Sequence, residues 1–274
     1  MPTTIQAALL GVVQGATEFL PVSSSAHLIL ARAVFEWDSD QFGLAFDVAC
    51  HIGTLIAVLV YFRRDIAMML QALPRLLQPA APGPHDGARL IWLLAIGTLP
   101  AIVVGVLFND VIEARMRTPQ VAAAALALGA IGLLIAERTG SHARSDRSLT
   151  KSEAFWIGCA QAVALIPGVS RSGATLTLAL LFGLGRPDAA RFIFLLAIPA
   201  ILAAAAHEAP ALLRAGMSGD RATLFLIGVT SSAVVGYLAV KYFVRYLANH
   251  SLDVFAWYRL ALAAAVAAWI VRST

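Results

Sequence analysis

The sequence predicts an all-α, polytopic integral membrane protein, built as an inverted repeat with a re-entrant helical hairpin and three transmembrane helices in each half. Three observations carry this. The 274-residue chain is 59% hydrophobic and only 13% charged, with a mean hydropathy of +0.79, whereas an ordinary soluble domain is about a quarter charged. Apolar runs long enough to cross a bilayer recur along the chain. Two further apolar stretches are broken by a proline followed by serines, at corresponding places in the two halves. Residues 1–274 therefore read as one membrane domain. Repeat 1 covers 1–137 and repeat 2 covers 152–274, joined by a basic loop at 138–151.

The first apolar run begins at Ile5 and contains Q-G-A-T-E-F-L-P-V-S-S-S-A-H from Gln14 to His27. Pro21 lacks an N–H and clashes with the preceding turn, so it breaks the helix between Glu18 and the hydroxyls of Ser23, Ser24 and Ser25. The serines then start a new helix, whose N–H groups and positive dipole end face the break. After a short polar piece at 36–40, residues 42–62 form a span that holds Asp47 and His51 four apart, hence on one face. Residues 74–89 are rich in Pro and Gly and read as a loop. Residues 90–108 form an uncharged span. A short loop with Arg115 and Arg117 follows, and residues 120–136 span again.

The second half starts over. Residues 155–166 are apolar, P-G-V-S-R-S-G-A-T at Pro167–Thr175 makes the second break, and a helix continues to Phe182. Spans follow at 192–206, 222–240 and 254–271, the last containing Arg259. An offset of 158 − 11 = 147 carries Gly11, Gln14, Val22, Ser23 and Ser25 onto Gly158, Gln161, Val169, Ser170 and Ser172. An offset of 228 − 97 = 131 carries Gly97 and Gly105 onto Gly228 and Gly236. Three spans per half make the halves inverted, and paired breaks in such repeats mark a midplane site. If residues 42–62 run inward, the inner loops hold Arg63, Arg64, Arg75, Arg89, Arg138, Arg144, Arg147, Lys151, Arg186, Arg191, Lys241 and Arg245. The outer segments hold Arg32, Arg115, Arg117, Arg214, Arg221 and Arg272. Twelve against six favours this orientation, with both termini outside.

The same charges exclude other classes. The chain has 20 Lys+Arg against 16 Asp+Glu, but no basic stripe with interleaved aromatics, so no nucleic acid partner is expected. Cys50 and Cys159 stand apart in apolar segments and read as free buried thiols. Met1–Thr4 carries no basic region, so no cleavable signal peptide is expected.

The candidate chemistry sits at the breaks. Arg171, in a Ser-Arg-Ser turn at a helix start, combines a guanidinium fork, hydroxyls and a helix dipole into an anion receptor; the alternative is an arginine snorkelling to the interface. Glu18 is an ion-pair partner of Arg171, an acid/base group, or a ligand with Gln14 (one turn earlier) for an oxygen-seeking divalent metal, Mg²⁺ or Ca²⁺. Ser23 and Ser24 both lie within a turn of His27, the spacing of a hydroxyl nucleophile with an imidazole base; a serine cap beside a carbonyl-bonded histidine is the other reading. Asp47 with His51, Gln161 and Arg259 read as supporting groups inside the bundle.

The motifs G-x-x-Q-G-x-T-E-F-L-P-V-S-S-S-A-H and P-G-V-S-R-S-G-A-T resemble those of the undecaprenyl-pyrophosphate phosphatase family of bacteria, the bacitracin-resistance type, over nearly the whole chain. The resemblance implies a multi-pass inner (plasma) membrane enzyme with its active site open to the periplasm. Its reaction would convert undecaprenyl pyrophosphate to undecaprenyl phosphate and phosphate, recycling the carrier for peptidoglycan synthesis. Bacitracin would compete for that substrate, and a homodimer is compatible with it. By motif, Glu18 would hold the divalent ion, with Gln14 standing where the family often has a second Glu. Arg171 would grip the pyrophosphate. Ser24 would be the leading nucleophile candidate, with His27 as its base or itself the nucleophile. Ser23, Ser170, Ser172 and Thr175 would bind phosphate. A transporter or flippase of the polyprenyl phosphate lipid is the alternative, since it too uses inverted repeats and a central charged site. The Ser/His pair beside Glu18 separates them, because a carrier needs no nucleophile. A purely structural scaffold leaves the embedded charges unexplained.

Overall fold

The computed structural model describes residues 3–37, 41–76, 87–215 and 219–273. Part of the polar piece (38–40), most of the Pro- and Gly-rich stretch (77–86) and the chain ends at 1–2 and 274 lie outside the described residues. The helices are α1 (Thr3–Thr17), α2 (Ser24–Phe35), α3 (Leu44–Tyr61), α4 (Arg63–Ala72), α5 (Gly87–Met116), α6 (Pro119–Thr139), α7 (Lys151–Val163), α8 (Arg171–Leu181), α9 (Arg186–Ala215), α10 (Gly219–Leu247) and α11 (Asp253–Ser273). Six described segments are long and apolar enough to cross a membrane; they belong to α3, α5, α6, α9, α10 and α11. Leu99, Val106, Leu128, Leu226 and Val234 on these helices are all more than half exposed. Such a surface suits contact with lipid, where outward apolar groups cost nothing. The protein is an all-α, multi-pass membrane protein.

Both broken stretches follow one rule. α1 ends at Thr17 and α7 at Val163, each four residues before a proline, Pro21 and Pro167. The proline ring clashes with the carbonyl of the fourth residue before it, so neither helix continues past that residue. The chain turns, and α2 and α8 start behind Ser23 and Ser170. These two serines share an uncommon backbone, φ 71° and φ 72°, and both cap a helix: Ser23 Oγ accepts from Ala26 N at 3.4 Å and Ser170 Oγ from Gly173 N at 3.1 Å. A positive φ in a residue other than Gly is strained, and such strain concentrates at functional sites.

Two elements exceed the sequence reading. α5 runs on to Met116 through the stretch read as a loop after Phe108, because no proline interrupts 101–116. Arg63 and Arg64 open α4, a helix with Asp65 in its first turn, where the sequence pointed only to the end of a span. Arg191 of α9 bonds Asp65 (3.0 Å) and pairs with Asp146 of the loop between α6 and α7, joining α4, that loop and α9.

The hairpins seat against spans of the opposite half, α1 on α10 and α7 on α5, while α6 packs on α11. Each hairpin crossing depends on glycine. A Cβ on Gly11 would come within 2.7 Å of the Gly228 carbonyl, and a Cβ on Gly158 would strike the backbone of Gly97. The main core lies between, where Phe19 packs edge-on to Phe194 at 5.4 Å and Phe62 and Phe243 close around it.

Candidate active site

The two breaks meet in the interior. Glu18 is the first residue past α1 and is 6% exposed. Its Oε2 accepts from Gln14 Nε2 at 2.9 Å, one turn back, and from Ser24 Oγ at 2.6 Å, across the break. Its Oε1 pairs with Arg171 at the start of α8. His51 of α3 brings Nε2 within 3.4 Å of Oε2, while its Nδ1 lies 2.7 Å from the Asp47 carbonyl. One carboxylate thus gathers a guanidinium, a hydroxyl, an amide and an imidazole from four elements. A hydroxyl that donates to a carboxylate at 2.6 Å makes a charge-assisted hydrogen bond.

The breaks are held together from behind. Ser172 Oγ donates to the Leu20 carbonyl at 2.8 Å, joining the second turn to the first. Arg259 of α11 is fully buried, and its guanidinium donates to the carbonyls of Pro21 (3.3 Å), Gly168 (3.2 Å) and Val169 (2.9 Å), and to Ala125 and Leu126 of α6. Backbone carbonyls freed by a helix break within a membrane need such donors. Glycine makes the room: a Cβ on Gly173 would lie 2.6 Å from the Arg259 guanidinium.

A cavity of about 340 Å³ opens from this cluster. Glu18, Ser24, Ser25, His51, Gln161 and Arg171 form its polar end. Ala101, Ile102 and Val106 of α5 with Ile201 and Ala204 of α9 form an apolar wall. Glu113 and Arg117, beyond the apolar part of α5, and His207 of α9 line it toward the ends of those helices. Arg117 also joins Arg32 on Asp47, at 2.8 Å and 2.7 Å. A charged head beside the breaks with an apolar chain along α5 and α9 matches this division.

The structure gathers some sequence-identified residues and separates others. Gln14, Glu18, Ser24 and Arg171 form one hydrogen-bonded cluster. His27 stands apart from it. Its Nδ1 is 2.7 Å from the Ser23 carbonyl, its Nε2 is 2.7 Å from Tyr258 Oη, and its ring stacks on Tyr258. Neither nitrogen bonds Ser24, because the rotation of α2 that turns Ser24 to Glu18 turns His27 toward α11. Ser23 and Ser25 share a hydrogen bond at 3.2 Å and line the cavity, as does Ser170. Thr175 Oγ1 donates to the Arg171 carbonyl at 2.7 Å, within its own helix. His51, ranked by the sequence among supporting groups, touches Glu18 directly; its place four residues after Asp47 was the one available sign.

The fit of a divalent ion turns on Gln14. Its Oε1 is buried and has no hydrogen-bond partner among the described residues, so the amide offers a neutral oxygen one turn from the Glu18 carboxylate. Among the described residues no three His, Cys, Asp or Glu side chains come together as a complete metal cage. One carboxylate and one neutral amide oxygen are the kind of oxygen donors that a hard divalent ion takes.

Comparison with known proteins supplies a family. The family model described as "Bacitracin resistance protein BacA" matches residues 7–265. A protein of Rubrobacter xylanophilus named undecaprenyl-diphosphatase is 48% identical over 267 residues, 97% of this chain and 98% of its own. Proteins of the same name from Trichlorobacter lovleyi (43%; 94% of this chain and 93% of the relative) and Moorella thermoacetica (43%; 98% and 100%) are also similar over nearly their full lengths.

Proposed function

The chain belongs to the bacitracin resistance protein BacA family, and from that premise we propose how its site performs the reaction of an undecaprenyl-diphosphatase. The enzyme is a membrane hydrolase that cleaves the phosphoanhydride of undecaprenyl diphosphate, giving undecaprenyl phosphate and inorganic phosphate. In this reading the released lipid phosphate is the reusable carrier of cell-wall synthesis, and bacitracin competes with the enzyme for the same diphosphate.

The 2.6 Å hydrogen bond from Ser24 Oγ to Glu18 carries the mechanistic reading. Ser24 Oγ attacks the terminal phosphorus. The Oγ–P bond forms as the P–O bond to the bridging oxygen breaks, and undecaprenyl phosphate leaves. The hydroxyl proton passes to Glu18. Water then attacks the phosphoserine as the Oγ–P bond breaks. Glu18 returns its proton to Ser24 Oγ and takes one from the water for release to solvent, and the water's oxygen and remaining hydrogen leave with inorganic phosphate. Arg171 keeps further N–H donors beyond the one on Glu18, and these neutralise phosphoryl oxygens. The N–H groups of α2 and α8, behind Ser23 and Ser170, add a second source of positive potential. Glu18 and Gln14 would hold the divalent ion, Mg²⁺ or Ca²⁺, which when bound supplies charge neutralisation to the phosphates. His51 orients the carboxylate in this scheme, and His27 braces the turn through the Ser23 carbonyl.

A flippase of the same lipid is the competing activity. Protein purified in detergent separates the two, since no membrane exists to flip across. Release of phosphate from the lipid diphosphate, with no loss of the lipid phosphate product, is the expected result; lipid binding without release would leave only a carrier.

We further infer that 1–137 and 152–274 are inverted repeats. Gly11 on Gly228 and Gly158 on Gly97 are the same crossing twice if the offsets of 147 and 131 hold. The odd span count and the twelve-to-six division of basic residues then put both termini and the cavity mouth on the periplasmic side. Reporter fusions at Thr274 are expected to be active as periplasmic phosphatase fusions and silent as cytoplasmic fluorescent ones, with the reverse for fusions within 138–151. A cytoplasmic C-terminus would overturn the orientation.

A further inference from the structure

The two breaks are not chemically equal, and the difference isolates one side chain. The offset of 147 carries Gln14 to Gln161, Glu18 to Leu165 and Ser24 to Arg171. In the first half, Gln14 donates to Glu18. In the second half, Leu165 stands where that carboxylate would be, and Arg171 crosses to Glu18. Gln161 consequently has nothing to bond among the described residues. It is 2% exposed, and among the described residues neither its Nε2 nor its Oε1 has a hydrogen-bond partner. It lines the cavity with Arg171 and Ser170.

A buried amide with neither end satisfied is a cost to the free protein. Natural structures carry few of them, and one that lines a ligand cavity has a straightforward use. Arg171 and the start of α8 make this wall an anion receptor. An anion offers acceptors only, and the amide nitrogen is a donor with two hydrogens. We propose that Gln161 is a substrate-binding residue, whose carboxamide donates to a diphosphate oxygen beside Arg171. This rests on the phosphatase reading above. It divides the work between the halves: the first break carries nucleophile and base, and the second carries Arg171 and Gln161 to grip the anion.

The proposal makes stability and affinity move in opposite directions. Gln161→Leu removes the unsatisfied amide from an apolar wall that already holds Leu165 and Ala164. In full-length protein in detergent, its thermal transition should rise by about 2–6 °C, the shift expected when a buried unpaired polar group is relieved in a chain of this size. Its KM for the lipid diphosphate should rise by about 10-fold or more, the loss of one hydrogen bond to a charged group, with kcat changed far less. Gln161→Glu is nearly isosteric but turns a negative charge toward the anion, so its KM should rise further than that of the leucine variant. Methylenediphosphonate, which is not hydrolysed, serves as a direct probe. It should raise the thermal transition of the wild type, and raise that of Gln161→Leu by much less.

Several outcomes would overturn the inference. If Gln161→Leu lowers the transition and leaves KM unchanged, the amide is a structural group. If methylenediphosphonate stabilises wild type and variant equally while turnover of the wild type proceeds, Gln161 makes no contact with the diphosphate, and the phosphatase reading stands without it. If the wild type neither turns over the lipid nor responds to the probe, the parent reading fails and takes this one with it.

Discussion

Ser24→Ala is expected to abolish turnover and to remove a covalent phosphoryl label that the wild type acquires. The hydroxyl is the nucleophile in our scheme, it is nine-tenths buried, and its proton already points to Glu18 at 2.6 Å. Loss of a nucleophile whose base and electrostatic partners remain costs on the order of 10³-fold or more. Glu18→Gln should act nearly as severely, since a carboxamide holds the geometry but accepts no proton. Rapid quenching with substrate labelled on its terminal phosphate reads the intermediate directly. A phosphoserine survives acid and is lost in base; a phosphohistidine behaves the other way. His27→Ala should slow labelling without ending it, because His27 braces the turn through the Ser23 carbonyl and bonds Tyr258, not Ser24. An acid-labile adduct that persists in Ser24→Ala would move the nucleophile to a histidine. A competent wild type that never acquires label would establish direct attack by water, with Ser24 as a helix-start residue only.

Arg171→Lys should be nearly as damaging as Arg171→Ala, each lowering kcat/KM by about 10²- to 10³-fold. The guanidinium has two tasks. One N–H group holds Glu18 Oε1 across the break, and the planar fork leaves others for phosphate oxygens. An ammonium can keep the ion pair or face the phosphate, but it lacks the fork that does both in fixed geometry. Alanine leaves a buried carboxylate without its counter-charge, which is costly in itself. The lysine variant is therefore the sharper probe, because it preserves charge and isolates geometry. Phosphate release at saturating divalent ion, on protein whose folding is checked by its thermal transition, gives the measurement. Retention of most activity by the lysine variant would make Arg171 a general positive charge and not a bidentate clamp.

Much of this site was legible before any coordinates. Two prolines, each followed by serines, within runs otherwise apolar, mark two interrupted helices, and both helices do end four residues before a proline. The i, i+4 relation of Gln14 to Glu18 holds because it lies within continuous helix, where spacing alone decides which side chains meet. Arg171 needed a partner in an apolar setting, and it has one. The relation of Ser24 to His27 was inferred from the same kind of spacing and came out otherwise. Those residues also share a helix, but which face turns to the site depends on how the chain leaves the break.

The sequence by itself determined the class of protein, the order of its spans and the two breaks, while the hydrolase reading came from the resemblance of its two motifs to a known family. The class, the spans and the breaks follow from local rules: apolar run length against bilayer thickness, proline sterics and helical periodicity. Only the tertiary structure decided that Glu18 meets an arginine 153 residues away, that His51 and not His27 stands beside that carboxylate, and that Arg259 satisfies the carbonyls of both breaks. The physical reason lies in the backbone at the breaks. The positive φ of Ser23 and of Ser170 sets the rotation of α2 and α8, and no hydrogen-bond ladder runs through a break to transmit phase from one helix to the next. That rotation is settled by packing against α6, α9 and α11, through close contacts at Gly173 and the carbonyls that Arg259 gathers.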